Sequence, residues 1–190
     1  MEVNPVTLTG SKVELIPMAI GHIEGLYEAG RYPDIWAVTQ GAIASPADAE
    51  AYVSKALSAP GMLPFVIVER GSGRILGSTR LFDISGQNRN LEIGYTWLTP
   101  DVWRTAVNTE CKYLLLRHSF ETLGTIRVQL KTDARNTRSQ RAIERLGAVK
   151  EGVLRNHVIL PDGYVRDSVY YSIIDREWPQ VKLGLERFLQ

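Results

Sequence analysis

Apolar positions along the chain change period several times, and each change predicts an element. Val13-Glu14-Leu15-Ile16 has the composition of a short strand, stopped at Pro17. Ile23, Leu26 and Tyr27 then fall at helical spacing up to Gly30. Ser45-Pro46 opens a second helix, with the hydroxyl as cap and proline in the first turn. Ala49, Tyr52, Val53, Ala56 and Leu57 form its apolar side, and Pro60-Gly61 ends it. Three strands are predicted next, over 64–70, 74–82 and 90–98. Gly71-Ser72-Gly73 and Ser85-Gly86-Gln87-Asn88 separate them with turn chemistry, so the stretch reads as an antiparallel meander.

The second half alternates differently. A helix is predicted over 108–123, closed by Gly124, and then a strand over 126–131. A helix over 136–146 follows, capped by Asn136 or Thr137 and ended by Gly147. Strands over 149–160 and 164–174 flank the turn Pro161-Asp162-Gly163, and 177–189 is a final helix. A meander feeding a strand–helix–strand unit predicts the α+β class: a central mixed, mostly antiparallel sheet flanked by helices. A length of 190 residues suits one domain, taken as 1–190.

Composition narrows the function classes. Apolar residues make up 44% and charged residues 23%, ordinary values for a globular protein in water. A net charge of +1 gives no broad footprint for nucleic acid. The single cysteine, Cys111, excludes an internal disulfide framework and favours a cytoplasmic address. With His22, His118 and His157 scattered, it also argues against a structural zinc site, so no metal is expected. No apolar run approaches the roughly 20 residues that span a bilayer, and the N-terminus lacks a signal-peptide pattern. The expectation is a cytoplasmic protein without nucleic-acid or membrane partners.

Candidate chemistry concentrates in 91–109. Leu91, Ile93, Tyr95 and Trp97 alternate onto one face of the strand, and Glu92, Gly94 and Thr96 onto the other. The strand breaks at Thr99-Pro100, and a short loop leads into the helix at Asn108-Thr109-Glu110. Such a corner leaves backbone N–H groups unpaired at the positive end of a helix dipole, which suits an anion such as a pyrophosphate. Arg104 adds a charge-assisted contact. Many such corners bind nothing, so the corner alone does not establish a ligand.

In order and spacing, Glu92-Ile93-Gly94-Tyr95, Trp103 through Glu110, Asn136-Thr137-Arg138-Ser139 and Arg145-Leu146-Gly147-Ala148 together resemble the GCN5-related N-acetyltransferase (GNAT) superfamily. The late Arg166-Asp167-Ser168-Val169-Tyr170-Tyr171-Ser172 and Glu177-Trp178-Pro179 fit the branch resembling ribosomal-protein N-terminal acetyltransferases of the RimJ and RimL type. The resemblance covers nearly the whole chain. It implies a GNAT-like fold and acetyl-CoA, or another acyl-CoA, as cosubstrate. The pyrophosphate would be wrapped by backbone amides of Arg104, Thr105, Ala106, Val107, Asn108 and Thr109. The pantetheine arm would pair with the strand end at Tyr95, Trp97 and Leu98, Asn136 and the start of its helix would hold its other side, and Arg138 would reach a CoA phosphate. Family members are often dimers, which leaves a homodimer open. The chain departs from the family pattern where Ala106 stands at the usual glycine and Asn108 at the last small position. Alanine tolerates left-handed angles poorly, and Asn108 is placed to cap the helix and compete for its amides.

Thioester aminolysis must take a proton from the amine and benefits from giving one to the departing thiolate. Glu92 is the candidate general base, through a water; the alternative is a salt-bridged strand glutamate. Ser139 is the candidate proton donor to sulfur; the alternative is a serine that satisfies helix N-terminal amides. His118 and Cys111 lie on the helix stripe of Val107, Leu114 and Leu115 and read as a hydrogen-bonded core histidine and an inert buried thiol. Asp167 either binds a cationic acceptor or pairs with Arg155 or Arg166, and one of Tyr170 and Tyr171 belongs to the core. Arg135, Arg138, Arg141 and Arg145 read as a solvated helix side. Acceptor residues are expected in 27–40, with Tyr32, Asp34 and Trp36, and in the final hairpin. The functional expectation is an N-acetyltransferase acting on a protein N-terminus or a small amine. A non-catalytic acyl-CoA-binding module and a scaffold without CoA are the alternatives.

Overall fold

The computed structural model describes residues 1–37, 39 and 41–190. The strands are β1 (Leu8–Thr9), β2 (Val13–Pro17), β3 (Leu63–Glu69), β4 (Ile75–Ser85), β5 (Asn90–Leu98), β6 (Arg127–Asp133), β7 (Val149–Ile159) and β8 (Val165–Ile174). The helices are α1 (Ile23–Gly30), α2 (Pro46–Ser58), α3 (Val107–Arg117), α4 (Thr137–Arg145) and α5 (Trp178–Leu189). All eight strands form one sheet in the order β1-β2-β3-β4-β5-β6-β8-β7. Among the described residues only β5 and β6 run parallel; every other neighbouring pair is antiparallel. This is the expected α+β architecture, with two features the sequence did not indicate. β1 is too short to carry a period, and the helix predicted to reach residue 123 ends as α3 at Arg117 and continues as one π turn, His118–Thr122.

Local chemistry sets several boundaries. Ser45 accepts from the Asp48 amide and Asp48 answers to the Ser45 amide, so α2 starts on a reciprocal cap with Pro46 in its first turn. Asn136 caps α4 by accepting from Ser139 N at 3.0 Å, which decides between the two expected caps.

Helices divide the sheet unequally. α3, α4 and α5 cover one face from β2 to β8, over Leu15, Phe65, Leu81, Ile93, Leu130 and Tyr171. α1 and α2 cover the other face only from β2 to β4 and at Trp97. On that second face, Glu92, Gln129, Lys131, Tyr170 and Ser172 make a polar surface over β5, β6 and β8. Tyr171 is the core tyrosine and Tyr170 the half-buried one, as the alternation required.

Glu110 ties α3 to the sheet edge. Its carboxylate accepts from the amides of Ser11, Lys12 and Val13 and from the Ser11 hydroxyl at 2.6–3.0 Å. Burial pushes this carboxyl up, but the hydrogen bonds from Ser11, Lys12 and Val13 outweigh it and hold the group below its usual range. A depressed carboxylate stabilises the fold above its unfolded pKa, and that contribution is lost as pH falls through the folded value. Glu110→Ala is expected to cost about 2–3 kcal/mol at neutral pH. It should also flatten the acid side of the stability profile below the usual glutamate range, read by urea unfolding at several pH values.

Candidate active site

The site lies where the two parallel strands part. β5 and β6 pair only at Asn90, Leu91 and Glu92, opposite Arg127, Val128 and Gln129. Beyond that β5 stays with β4 and β6 stays with β8, so a gap opens toward both C-terminal strand ends. Each of these strands feeds a helix, which brings the N-termini of α3 and α4 to the same mouth. Arg138 of α4 stacks on the Trp103 ring at 4.1 Å and spans it.

A bulge shapes the β5 side. Arg80 pairs with Gly94 but Ser78 pairs with Trp97, so β5 carries an extra residue, and Tyr95 takes a left-handed φ of 50° there. The strict alternation expected for 91–97 therefore breaks. Leu91 and Ile93 join the core under α3, whereas Trp97 crosses to the α1/α2 core and donates its indole N–H to the Tyr52 hydroxyl. Tyr95 is half exposed, and the Leu98 carbonyl accepts from the Trp103 indole at 2.8 Å. One carbonyl of the expected pairing edge is thus already used, and Trp97 offers the gap its backbone rather than its side chain.

The amide corner has the required form. α3 begins at Ala106 with no side-chain cap. Thr105 N donates to the Val102 carbonyl at 3.4 Å and Val107 N to the Thr105 hydroxyl at 3.3 Å. The N–H groups of Arg104, Ala106, Asn108 and Thr109 have no partner among the described residues. The left-handed residue of the loop is Arg104, with φ 63°, and Ala106 keeps a right-handed φ of −72°. Alanine at the usual glycine position is therefore unstrained. Asn108 lies inside the first turn and does not cap the helix, contrary to expectation. Free amides, a helix dipole and two arginines at the rim fit a diphosphate.

Glu92 lies at the apex of the gap, buried on the polar face. Its Oε2 accepts from Gln129 Nε2 at 2.7 Å and Lys131 Nζ at 3.2 Å, and its Oε1 has no partner. Gln129 is oriented in turn by Arg127, whose guanidinium is held by Glu151. Burial pushes the Glu92 carboxyl above its usual value, opposed by Lys131 and Gln129. A raised, buried carboxylate with one unpaired oxygen suits proton abstraction relayed by a water. Ser139 is half-buried in the first turn of α4; Asn136 caps that turn, and the Ser139 hydroxyl has no protein partner among the described residues.

Other expected residues resolve differently. Asp167 accepts from the Asn156 amide at 2.7 Å and caps a β7 irregularity, with no ion pair to Arg155 or Arg166 among the described residues. Trp36 packs on Trp97 at 5.3 Å and donates to the Gly30 carbonyl, so it belongs to the second core. Tyr32 is exposed, with Arg31 over its ring at 5.9 Å, and Asp34 is exposed beside it. Val38 and Gln40, in the expected acceptor segment, lie outside the described residues. His118 is buried with its pKa lowered by burial, but its Nε2 lacks the hydrogen bond expected of it. Cys111 is buried and its thiol pushed up to about 12, as an inert core cysteine should be. Arg135, Arg138, Arg141 and Arg145 are exposed, as expected of a solvated side, and three of them also lie over aromatic rings: Arg135 over Tyr164, Arg138 over Trp103 and Arg145 over Phe188.

Two charged residues at the site look like surface residues in the sequence. Lys112, on α3, is buried and donates to the Thr96 hydroxyl at 2.5 Å, which meets the Thr79 hydroxyl at 2.8 Å under the bulge. Burial lowers its pKa to about 8. With an unfolded value near 10.4, the unfolded chain binds the proton more tightly, so stability rises with pH between about 8 and 10. Lys112→Met is expected to remove that rise and to lift the melting temperature at pH 7 by about 2–4 °C. A scan showing the same alkaline rise in the variant would refute this. Arg80, on β4, is 4% exposed and lies between the Tyr52 and Tyr95 rings at 4.7 and 4.6 Å. Its hydrogen-bond partner is the Met62 sulfur at 3.1 Å, and its Nε has none.

An open sheet gap, an amide corner and a buried carboxylate at the apex define a fold built around a parting pair of parallel strands. The chain belongs to the GNAT acetyltransferase family: residues 12–149 match its Acetyltransferase (GNAT) domain. A Bacillus subtilis (strain 168) protein provisionally named as the ribosomal N-acetyltransferase YdaF is 32% identical over 106 residues, 56% of this chain and 57% of that one. The matched stretch thus spans little more than half the length of that curated relative. A T. thermophilus crystal structure, provisionally assigned as an acetyltransferase, is 38% identical over the full length of both chains with a TM-score of 0.92. Mycobacterium smegmatis RimJ, solved with CoA-disulfide, shares the fold at a TM-score of 0.82 and 21% identity, covering 97% of this chain and 95% of that one. Among the described residues no helix is long and apolar enough to cross a membrane, and no acidic, histidine or cysteine group has metal-binding form.

Proposed function

We propose that this protein is an acyl-CoA-dependent N-acetyltransferase that moves an acetyl group to a primary amine. Family membership supports the reaction class, as does the CoA compound bound by the M. smegmatis relative. The observation that carries the reading is the combination of free amides at Arg104, Ala106, Asn108 and Thr109 with a buried, unpaired Glu92 oxygen at the other end of one gap. Acyl-CoA, when bound, supplies an activated thioester. The amide corner and Arg138 hold its diphosphate, and the unpaired edge of β5 lies along its arm. Glu92, through a water, takes the proton that the amine must lose. Ser139, its hydroxyl not needed by the helix, donates toward sulfur. Fixing amine and thioester together supplies much of the acceleration without a covalent enzyme intermediate.

Titration calorimetry with acetyl-CoA, followed by thiol release on an amine panel, tests this. Binding with amine-dependent thiol release is expected. No binding would leave a scaffold; binding without release by any amine would leave a non-catalytic CoA module. Ser139→Ala is expected to slow single-turnover transfer by about tenfold or more with acetyl-CoA affinity retained; an unchanged rate would remove Ser139 from the reaction.

A further inference from the structure

Given the acetyltransferase reading, we infer that Arg80 is an anion subsite of the acceptor pocket, and that the acceptor is a primary amine carrying its own carboxylate. The guanidinium is almost wholly withdrawn from solvent, yet no carboxylate among the described residues pairs with it. Arginine does not shed its charge in proteins, and two aromatic faces recover less than desolvating an ion costs. A thioether is a weak acceptor, and Nε, fully buried, donates to nothing. Buried guanidinium groups are otherwise paired, and their fork matches a carboxylate.

Position turns this orphan charge toward the acceptor. Arg80 pairs with Gly94 and Phe82 with Glu92, so all four share the second face of the sheet. Arg80 and Glu92 stand one residue pair apart along that face, about 7 Å by strand rise. Arg80 lies where the α1/α2 cover ends, walled by Tyr52 of α2 on one side and half-exposed Tyr95 on the other. An amine bound over Glu92, its proton relayed through a water to the buried, unpaired oxygen, therefore has a guanidinium within reach of an anionic group a few bonds away. Lys131 completes the polarity of the pocket: it is engaged by Glu92 and lies 5.2 Å from the Phe82 ring centre, which leaves Arg80 as the cation without an anion.

The test compares matched acceptors. One arm uses 4-aminobutyrate against its carboxamide, the other an N-terminal aspartyl peptide against the asparaginyl peptide; the arms distinguish a free amino acid from a peptide end. In wild type, kcat/KM is expected to favour the anionic member of at least one pair by about ten- to a hundredfold. Calorimetry without acetyl-CoA should show the same order of affinities. Arg80→Met is expected to bring the ratio close to one through KM, and Arg80→Lys to restore part of it. Equal kcat/KM within both pairs in wild type overturns the inference, and so does an unchanged ratio in a folded Arg80→Met variant. Failure of every amine and of acetyl-CoA binding would instead overturn the acetyltransferase reading. Because calorimetry reads the anion subsite without acetyl-CoA, the two failures are distinguishable.

Discussion

Glu92→Gln is expected to lower kcat for amine acetylation by about a hundred- to ten-thousandfold while acetyl-CoA affinity stays nearly unchanged. The carboxylate lies at the apex of the gap, with Oε2 held by Gln129 and Lys131 and Oε1 buried and unpaired. Glutamine keeps the shape and an oxygen for those donors but cannot take a proton. The raised pKa sets the pH dependence. In wild type, activity should rise through a limb above the usual glutamate range, because the base works only when ionised; the variant should lose that limb. The stability sign runs the other way. A carboxyl whose folded pKa is raised contributes stability that fades as pH climbs through that value, so glutamine should cost the fold little at neutral pH. The readouts are kcat against pH, calorimetry with acetyl-CoA and urea unfolding. Turnover equal to wild type at every pH would remove Glu92 from the chemistry.

Gly77→Ala is expected to cost about 3 kcal/mol of stability and to weaken acetyl-CoA binding with it. Gly77 lies on β4 opposite Leu98, beside the bulge. A Cβ there would overlap the Trp97 carbonyl oxygen and stand 3.0 Å from Leu98 Cα. Both obstacles are backbone of the neighbouring strand, so no flexible side chain can give way. β5 must therefore shift at the segment that forms one wall of the gap and carries Trp97 into the Tyr52 contact. Urea unfolding and a CoA titration check the two effects together; a wild-type midpoint would show that the strands separate without penalty.

Much of the architecture was legible because its signals are local. Ser45-Pro46, the Gly71-Ser72-Gly73 turn and the 90–98 strand depend on residues close in sequence, and the structure reproduces them. The amide corner was legible for the same reason. What the sequence hid depends on partners. The flip at Tyr95 arises from its register against β4, which no alternation within β5 encodes. Arg80 and Lys112 look like surface charges until β4, α2 and α3 bury them. The signal that could have raised them is a lone basic residue inside an otherwise apolar or small-residue stretch, as in Leu76-Gly77-Ser78-Thr79-Arg80-Leu81. The role of Asp167 is hidden for a similar reason: its amide partner belongs to a β7 irregularity that arises only after the hairpin pairs.

The parallel join between β5 and β6 spans just the Asn90–Arg127, Leu91–Val128 and Glu92–Gln129 pairs. The sheet is thus two leaves on a short spine, each leaf bound to itself more firmly than to the other. Spreading the leaves strains few backbone bonds, and the Arg138–Trp103 stack is the clasp across their free margin. An indole under a guanidinium in that place puts a cation–ring contact at the margin where the leaves part.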